Sequence, residues 1–233
     1  MTHYPFPDSR GTKIAFAAFF TAMLFLARDS MFTTAVIGFE KAQFLMLGVI
    51  CLLGVAFLIV NRSNLLQILK DRRMIVAGIA AAVLLLPMLV KRDWQLMYFS
   101  VLLCLLTAVF LSYFLTLRDA AKYYVVIMSV LGAYSVLAAY ILRIGVDSGA
   151  YAVPVFRNSM GFEFHNFFLS IVPDTYVKNR NFGIFREPGV YQFFLITALY
   201  LNNYEVEWKK TWQLWLVNGI LAATMVSTFA TGG

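Results

Sequence analysis

Along this chain, apolar residues gather into long runs parted by short charged links, without the period-2 alternation of an outer-membrane barrel. The runs are about 17 to 24 residues long, which suits the ~20 residues that cross a ~30 Å hydrocarbon core as a helix. Spans are expected at 12–27, 42–60, 74–90, 94–117, 123–142, 188–203 and 212–229. The pattern therefore predicts an all-α fold, a polytopic membrane helix bundle of about seven transmembrane helices. Residues 1–11, with Pro5, Pro7, Asp8 and Gly11, read as a short disordered cytoplasmic arm. Five spans fill 12–142, a long loop fills 143–188, and two further spans fill 189–233. Residues 29–41 read either as a loop on the interface or as a continuation of the first helix.

Composition agrees with a membrane environment. Hydrophobic residues make up 61% of the 233 and charged ones 13%, against roughly 25% charged in a soluble domain. The first apolar run meets Arg28-Asp29 rather than a small-residue cleavage site, so it reads as a retained span rather than a signal peptide. The formal charge of +7 does not point to nucleic acid, because the 19 Lys and Arg sit at the ends of apolar runs rather than on one aromatic-rich face. Cys51 and Cys104 each lie within an apolar run and read as small buried hydrophobes. With two histidines and no Cys/His cluster, no metal site is expected.

Charge then orients the chain. With the N-terminus in the cytoplasm, the inner links carry Arg10, Lys13, Arg62, Lys70, Arg72, Arg73, Arg118, Lys122, Lys209 and Lys210, and the outer ones only Arg28, Lys41, Lys91 and Arg92. That excess favours N-in by the positive-inside rule, with Trp94 and Trp212 as interfacial anchors. The link around Leu65, Leu66, Ile68 and Leu69, flanked by Arg62, Lys70, Arg72 and Arg73, has the character of a small amphipathic surface helix. The loop 143–188 then lies on the outer face, periplasmic or extracellular, and its Phe and Tyr content is too high for disorder.

The topology rule does not explain the loop's own cations, Arg143, Arg157, Lys178, Arg180 and Arg186. Anion binding is the simplest reason for them. Arginine offers a planar fork that pairs with phosphate through two hydrogen bonds. A helix opening at Pro188 would aim unsatisfied N–H groups and a positive dipole end at the same place. Gly189 would let a ligand approach the backbone, and Glu187 would either orient Arg186 or accept a proton from an incoming hydroxyl. The plainer alternative is an ordinary helix start with Arg186 and Glu187 neutralising each other. Arg157 is a weaker anion candidate. His165 reads as a general base or, more simply, as a hydrogen-bonded loop histidine. Tyr191 and Gln192 either line a sugar-binding cleft or pack at the interface.

The run Asn181-Phe-Gly-Ile-Phe-Arg-Glu-Pro-Gly-Val-Tyr-Gln192, a span, a charged link and a second span ending Met225-Val-Ser-Thr-Phe-Ala-Thr-Gly232 resemble the O-antigen polymerase and O-antigen ligase superfamily, above all polymerases of capsular or exopolysaccharide repeat units. The resemblance covers about residues 140–232; the earlier spans match in topology alone. It implies a glycosyltransferase of the bacterial cytoplasmic (inner) membrane that joins sugar chains carried on undecaprenyl pyrophosphate at the outer face. It implies no cofactor, metal or nucleotide sugar, and a flippase and chain-length regulator as further partners. By motif, Arg186 would hold the pyrophosphate leaving group with Glu187 beside it, Arg180 and Gly189 would complete the pyrophosphate site, and the segment holding Ser227, Thr228, Thr231 and Gly232 would follow near the outer end of the last span. The family carries more spans and a second outer loop, so the chain is expected to be the N-terminal part of a longer protein or a truncated, inactive form. Transfer to another acceptor, as by an O-antigen ligase, is the near alternative. The rival class is a non-catalytic transporter or partner of polysaccharide export, which would show charged or broken spans and internal repeats.

Overall fold

The computed structural model describes residues 10–26, 30–31, 41, 44–49, 51–52, 55, 70–92, 98, 101–102, 105, 108–109, 112, 115–157, 161–174 and 180–229. The chain divides into two compact units, one of Met1–Thr12 and Glu40–Thr116 and the other of Lys13–Phe39 and Leu117–Gly233.

Helix α1 covers Arg10–Leu26 and belongs to the second unit from Lys13 onward. In the first unit, α2 covers Arg72–Lys91. Its start is capped by Asp71, whose Oδ1 accepts the Arg73 amide at 2.8 Å, satisfying one of the donors left over at a helix N-terminus. The Arg73 side chain also bonds Asp71, and this holds the Asp71 carboxyl below the usual carboxylate range. Arg73 reaches on through Nη1 to the carbonyl of Ser112 at 2.6 Å. The helix ends at Arg92 in a left-handed conformation, its N–H bonding the Met88 carbonyl.

In the second unit, α3 covers Leu117–Leu137. It continues without a break through a π-helical turn, Ala138–Leu142, into α4, Arg143–Asp147. Helix α5 covers Pro188–Tyr204 and α6 covers Thr211–Ser227. Helices α3, α5 and α6 pack on one another, around a core of Val125, Met128, Leu131, Leu195, Ala198 and Leu221. Close approach is set by Gly132, where an added Cβ would meet Thr224 Oγ1 at 2.8 Å. At one end Arg118 pairs with Glu207, between α3 and the link after α5.

Between α4 and α5 lies an antiparallel sheet of β1 (Val155–Arg157), β2 (Glu163–Asn166) and β3 (Ile171–Pro173), in the order β1-β2-β3. Val155 faces His165 in register, and His165 faces Val172. Phe156 and Phe164 stack across the first pair, and Phe167 and Val172 pack on Ala138 and Ala139 of the π turn.

This corrects the all-α, seven-span expectation. The loop 143–188 contains a sheet, missed because strands of three or four residues are too short for alternation to show. Among the described residues, two helices are long and apolar enough to cross a membrane, Arg72–Val90 and Leu117–Asp147, with mean hydropathy 2.3 and 2.2. Helices α1, α5 and α6 have 17 residues each. Pro188 opens α5, and the link carrying Glu205, Glu207, Lys209 and Lys210 separates it from α6. The expected link between spans at Arg118-Asp119 is itself the first turn of α3. Much of the apolar surface of α2 is uncovered, including Ile79, Val83, Leu86 and Val90. So large an apolar face on one helix marks a contact with a membrane or with another protein surface.

Residues 1–9 of the expected arm lie outside the described residues, and 10–11 open α1. Also outside them are most of the expected spans 42–60 and 94–117, the basic connection 61–69, Trp94, Cys104, Lys178, Thr231 and Gly232; Cys51 is described and exposed.

Gly132→Ala should force α3 and α6 apart and lower stability by about 1–3 kcal/mol, the usual cost of overpacking. Adding Thr224→Ala, which removes the atom in the way, should restore most of the loss in thermal unfolding of the detergent-solubilised protein.

Candidate functional site

The stretch from Arg180 to Gln192 bonds β3, makes a tight corner and opens α5. Its backbone is tied to three other parts of the chain. The Asn181 amide bonds the Ser227 carbonyl at the end of α6 at 3.0 Å, and the Gly183 carbonyl accepts the Ile171 amide of β3 at 2.7 Å. The Ile184 carbonyl accepts the Met31 amide at 2.8 Å, and Ser30 bridges Phe185. The Phe185 amide closes the turn onto the Phe182 carbonyl, and the Glu187 carbonyl takes the Tyr191 amide in the first turn of α5. These bonds tie the corner to α6, to β3 and to the segment at Ser30-Met31, which makes it a fixed object rather than a loose loop.

At its centre sits the Asn181 side chain, 1% exposed. Its Nδ2 donates to Ser135 Oγ of α3 at 2.8 Å and to Ser227 Oγ of α6 at 3.0 Å, and its Oδ1 accepts the Gly183 amide at 2.9 Å. Ser135 Oγ lies 3.0 Å from the Tyr191 hydroxyl of α5. Each serine also donates locally, Ser135 to the Gly132 carbonyl and Ser227 to that of Thr224. One carboxamide thus joins α3, the corner and α6, and through Ser135 it reaches α5. Such a network stabilises only when every member is satisfied.

Gly183 is where the corner demands glycine. Its φ is +55°, and an added Cβ would lie 2.6 Å from Cε1 of the Tyr191 ring. Tyr191 is 1% exposed and packs against Phe185 with ring centroids 5.4 Å apart. Of the two readings of Tyr191, cleft or packing, it takes packing. Gln192, the next residue of α5, is half-buried.

Beyond this buried knot the chain comes to the surface. Arg186 and Glu187 are exposed, and Arg186 Nε lies 3.9 Å from Glu187 Oε1, with 49% and 63% of the two side chains accessible. An exposed pair at that distance contributes about 0–1 kcal/mol. Glu187 is the N-cap residue and Pro188 the first residue of α5; the Glu187 side chain makes no capping bond. The helix's first amides are therefore not consumed by that carboxylate. Gly189 is exposed with open space where a Cβ would stand, so a ligand can approach its backbone. Arg180 is half-buried directly before Asn181.

Comparison of the chain with protein-family models, curated proteins and solved structures returned no match.

Arg157 and His165 lie on the sheet, and Arg143 opens α4 beside it. Arg157 pairs with Glu163 directly across β1 and β2, Nε to Oε1 at 2.7 Å. His165 Nε2 lies 3.3 Å from Asp174 Oδ1, while its Nδ1 is buried with no hydrogen-bond partner. Arg143 is buried and donates to Asp147 Oδ2 and to the Asp174 carbonyl, each at 3.2 Å. Among the described residues, no group of three or more His, Cys, Asp or Glu is placed to hold a metal ion.

The residues that sequence reasoning passed over are Asn181, Ser135 and Ser227. Asn181 and Ser227 stood inside the quoted motifs without a role. Ser135 carried a weaker signal, a small polar residue in a long apolar helix, where side-chain hydrogen bonds between helices are common.

Asn181→Ala should orphan the Gly183 amide and remove a partner from two buried serines. At about 1–3 kcal/mol for leaving a buried polar group unsatisfied, a clear fall in the thermal midpoint is expected. An unchanged midpoint would show that the carboxamide does not hold the corner.

Proposed function

We propose that the chain contributes to a glycosyltransferase of the O-antigen polymerase and ligase type, acting on sugar chains carried by undecaprenyl pyrophosphate at the outer face of the bacterial cytoplasmic membrane. The observation that carries this reading is the exposed Arg186-Glu187-Pro188-Gly189 corner, fixed at the start of α5 by a fully bonded Asn181. A cation, a set of helix N-terminal amides and a carboxylate stand together there, on a chain with helices apolar enough to cross a membrane.

In the reaction, a hydroxyl of the acceptor sugar attacks the anomeric carbon of the donor. A new glycosidic C–O bond forms, and the bond to the lipid pyrophosphate breaks, its electron pair leaving with the pyrophosphate. Negative charge grows on that group in the transition state. Arg186 and the first amides of α5 stabilise it as preorganised donors, and Arg186 suits the task because its guanidinium stays charged and pairs with two oxygens at once. Glu187 accepts the proton of the attacking hydroxyl. Arg180 supports the anion from the preceding turn, and Gly189 leaves the backbone approachable. The partners are a lipid-linked oligosaccharide, the bilayer, and the flippase and chain-length regulator of the same export system.

Arg186→Ala should lower transfer by about 100-fold or more, the scale on which loss of one preorganised donor acts, and should leave lipid-linked single repeats to accumulate. Arg186→Lys keeps the charge but not the fork and should recover part of the activity. Because Arg186 is exposed, both variants should unfold at the wild-type temperature. Polymer of normal length in the alanine variant would overturn the assignment.

A further inference from the structure

The turn between β2 and β3, Asn166–Ile171, carries an unusual residue at its tip. Phe168 is 76% exposed and has φ +65°, a left-handed conformation that bulky side chains seldom adopt. The surrounding contacts enforce it. The Phe168 amide donates to Asn166 Oδ1 at 2.9 Å. The Phe167 amide bonds the Ser170 carbonyl, the Leu169 amide bonds the Phe167 carbonyl, and the Asn166 amide bonds the Pro154 carbonyl. The four amides from Asn166 to Leu169 are thus satisfied within the protein. From Phe167 to Pro173 the chain carries no charge. Both properties suit membrane depth, where backbone amides must find their partners within the protein.

The hairpin's position points the same way. Two contacts pin it along the continuous helix Leu117–Asp147. At its open end the Asp174 carbonyl accepts from Arg143 Nη2 at 3.2 Å, and at its tip the Phe167 carbonyl accepts from the Tyr134 hydroxyl at 2.6 Å. The hairpin therefore runs from Arg143 back toward the middle of that helix. The last charge at the other end is Lys122, and from Lys122 to Tyr134 the helix rises about 18 Å. A hydrocarbon core is about 30 Å thick, so Tyr134 stands inside it, in the half toward Arg143. The polar ends of α5 and α6 sit at or beyond this level, since Asn181 bonds Ser135 and the Tyr140 hydroxyl bonds the Ser227 carbonyl. Beside the tip the helix presents further uncovered apolar side chains, Val130, Leu137 and Ile141.

We infer that the β2–β3 hairpin dips into the leaflet nearest Asp147 and that Phe168 is seated among its acyl chains, anchoring the sheet beside the Arg186 corner. The inference rests on α3 crossing a membrane and not on glycan transfer, so it stands or falls apart from the proposed activity. The test uses the full chain with Cys51 and Cys104 replaced by serine, reconstituted in phosphatidylcholine vesicles with a nitroxide at Phe168→Cys. Collision rates with molecular oxygen, which concentrates in lipid, are compared with those of a water-soluble nickel chelate. Val130→Cys on the exposed apolar face of α3 marks lipid, and Ala152→Cys in the exposed approach to β1 marks water. The expected ratio of oxygen to nickel at Phe168 matches Val130 and exceeds Ala152 several-fold. A ratio matching Ala152 overturns the inference, and so does exclusion of both reagents, which would mean that protein covers the tip. Should the cysteine variant not fold, Phe168→Trp decides the question: quenching by lipids brominated on the acyl chain, beyond that of the native tryptophans, supports insertion, and no added quenching refutes it.

Discussion

Asn181 uses both ends of one carboxamide to tie helices that are far apart in sequence to the corner between the sheet and α5. Its two donors go to Ser135 and Ser227, and its acceptor takes the Gly183 amide. Because all of these atoms are buried, the alternatives to satisfaction are costly, and the corner has one geometry rather than several. Gly183 can then turn at positive φ against the face of Tyr191, Phe185 can stack on Phe194 at 4.4 Å between centroids, and α5 can begin where Pro188 allows it.

What this fixed corner presents outward is Arg186, Glu187 and the open backbone at Gly189. Rigid support matters here because electrostatic stabilisation acts through donors already in place, with no reorganisation when charge develops. Arg143 and Arg157 share the same part of the chain but are engaged within it, on Asp147 and the Asp174 carbonyl and on Glu163, and His165 turns Nε2 to the Asp174 carboxylate. Arg186 stands instead at the surface, beside the Glu187 carboxylate and the first turn of α5.

The start of α5 was legible because Pro is favoured in the first turn of a helix and an apolar run follows it. The pairing within the corner was not. Ser135 and Ser227 lie 46 residues to either side of Asn181, and nothing local in the sequence marks them as its partners. Length and apolarity overstated the number of spans, because the same hydropathy serves a crossing helix and a 17-residue helix packed in a bundle. The sheet escaped notice since Val155–Arg157 and Ile171–Pro173 are three residues each, and the loop's aromatic content signalled order without saying of what kind. Phe168 at positive φ is held by bonds within its own turn, among them its amide to Asn166 Oδ1, although phenylalanine by itself does not favour a left-handed conformation.

Native-state hydrogen exchange of the full chain in a membrane mimetic tests the central claim most directly, by reading the backbone amides of Asn181, Gly183 and Phe185, which bond the Ser227 carbonyl, the Asn181 side chain and the Phe182 carbonyl. If Asn181 locks the corner, these three exchange as slowly as the core of α5 and accelerate together in Asn181→Ala, while amides in the middle of α3 keep their protection. Exchange of the three at open-loop rates in the wild-type protein would contradict the account.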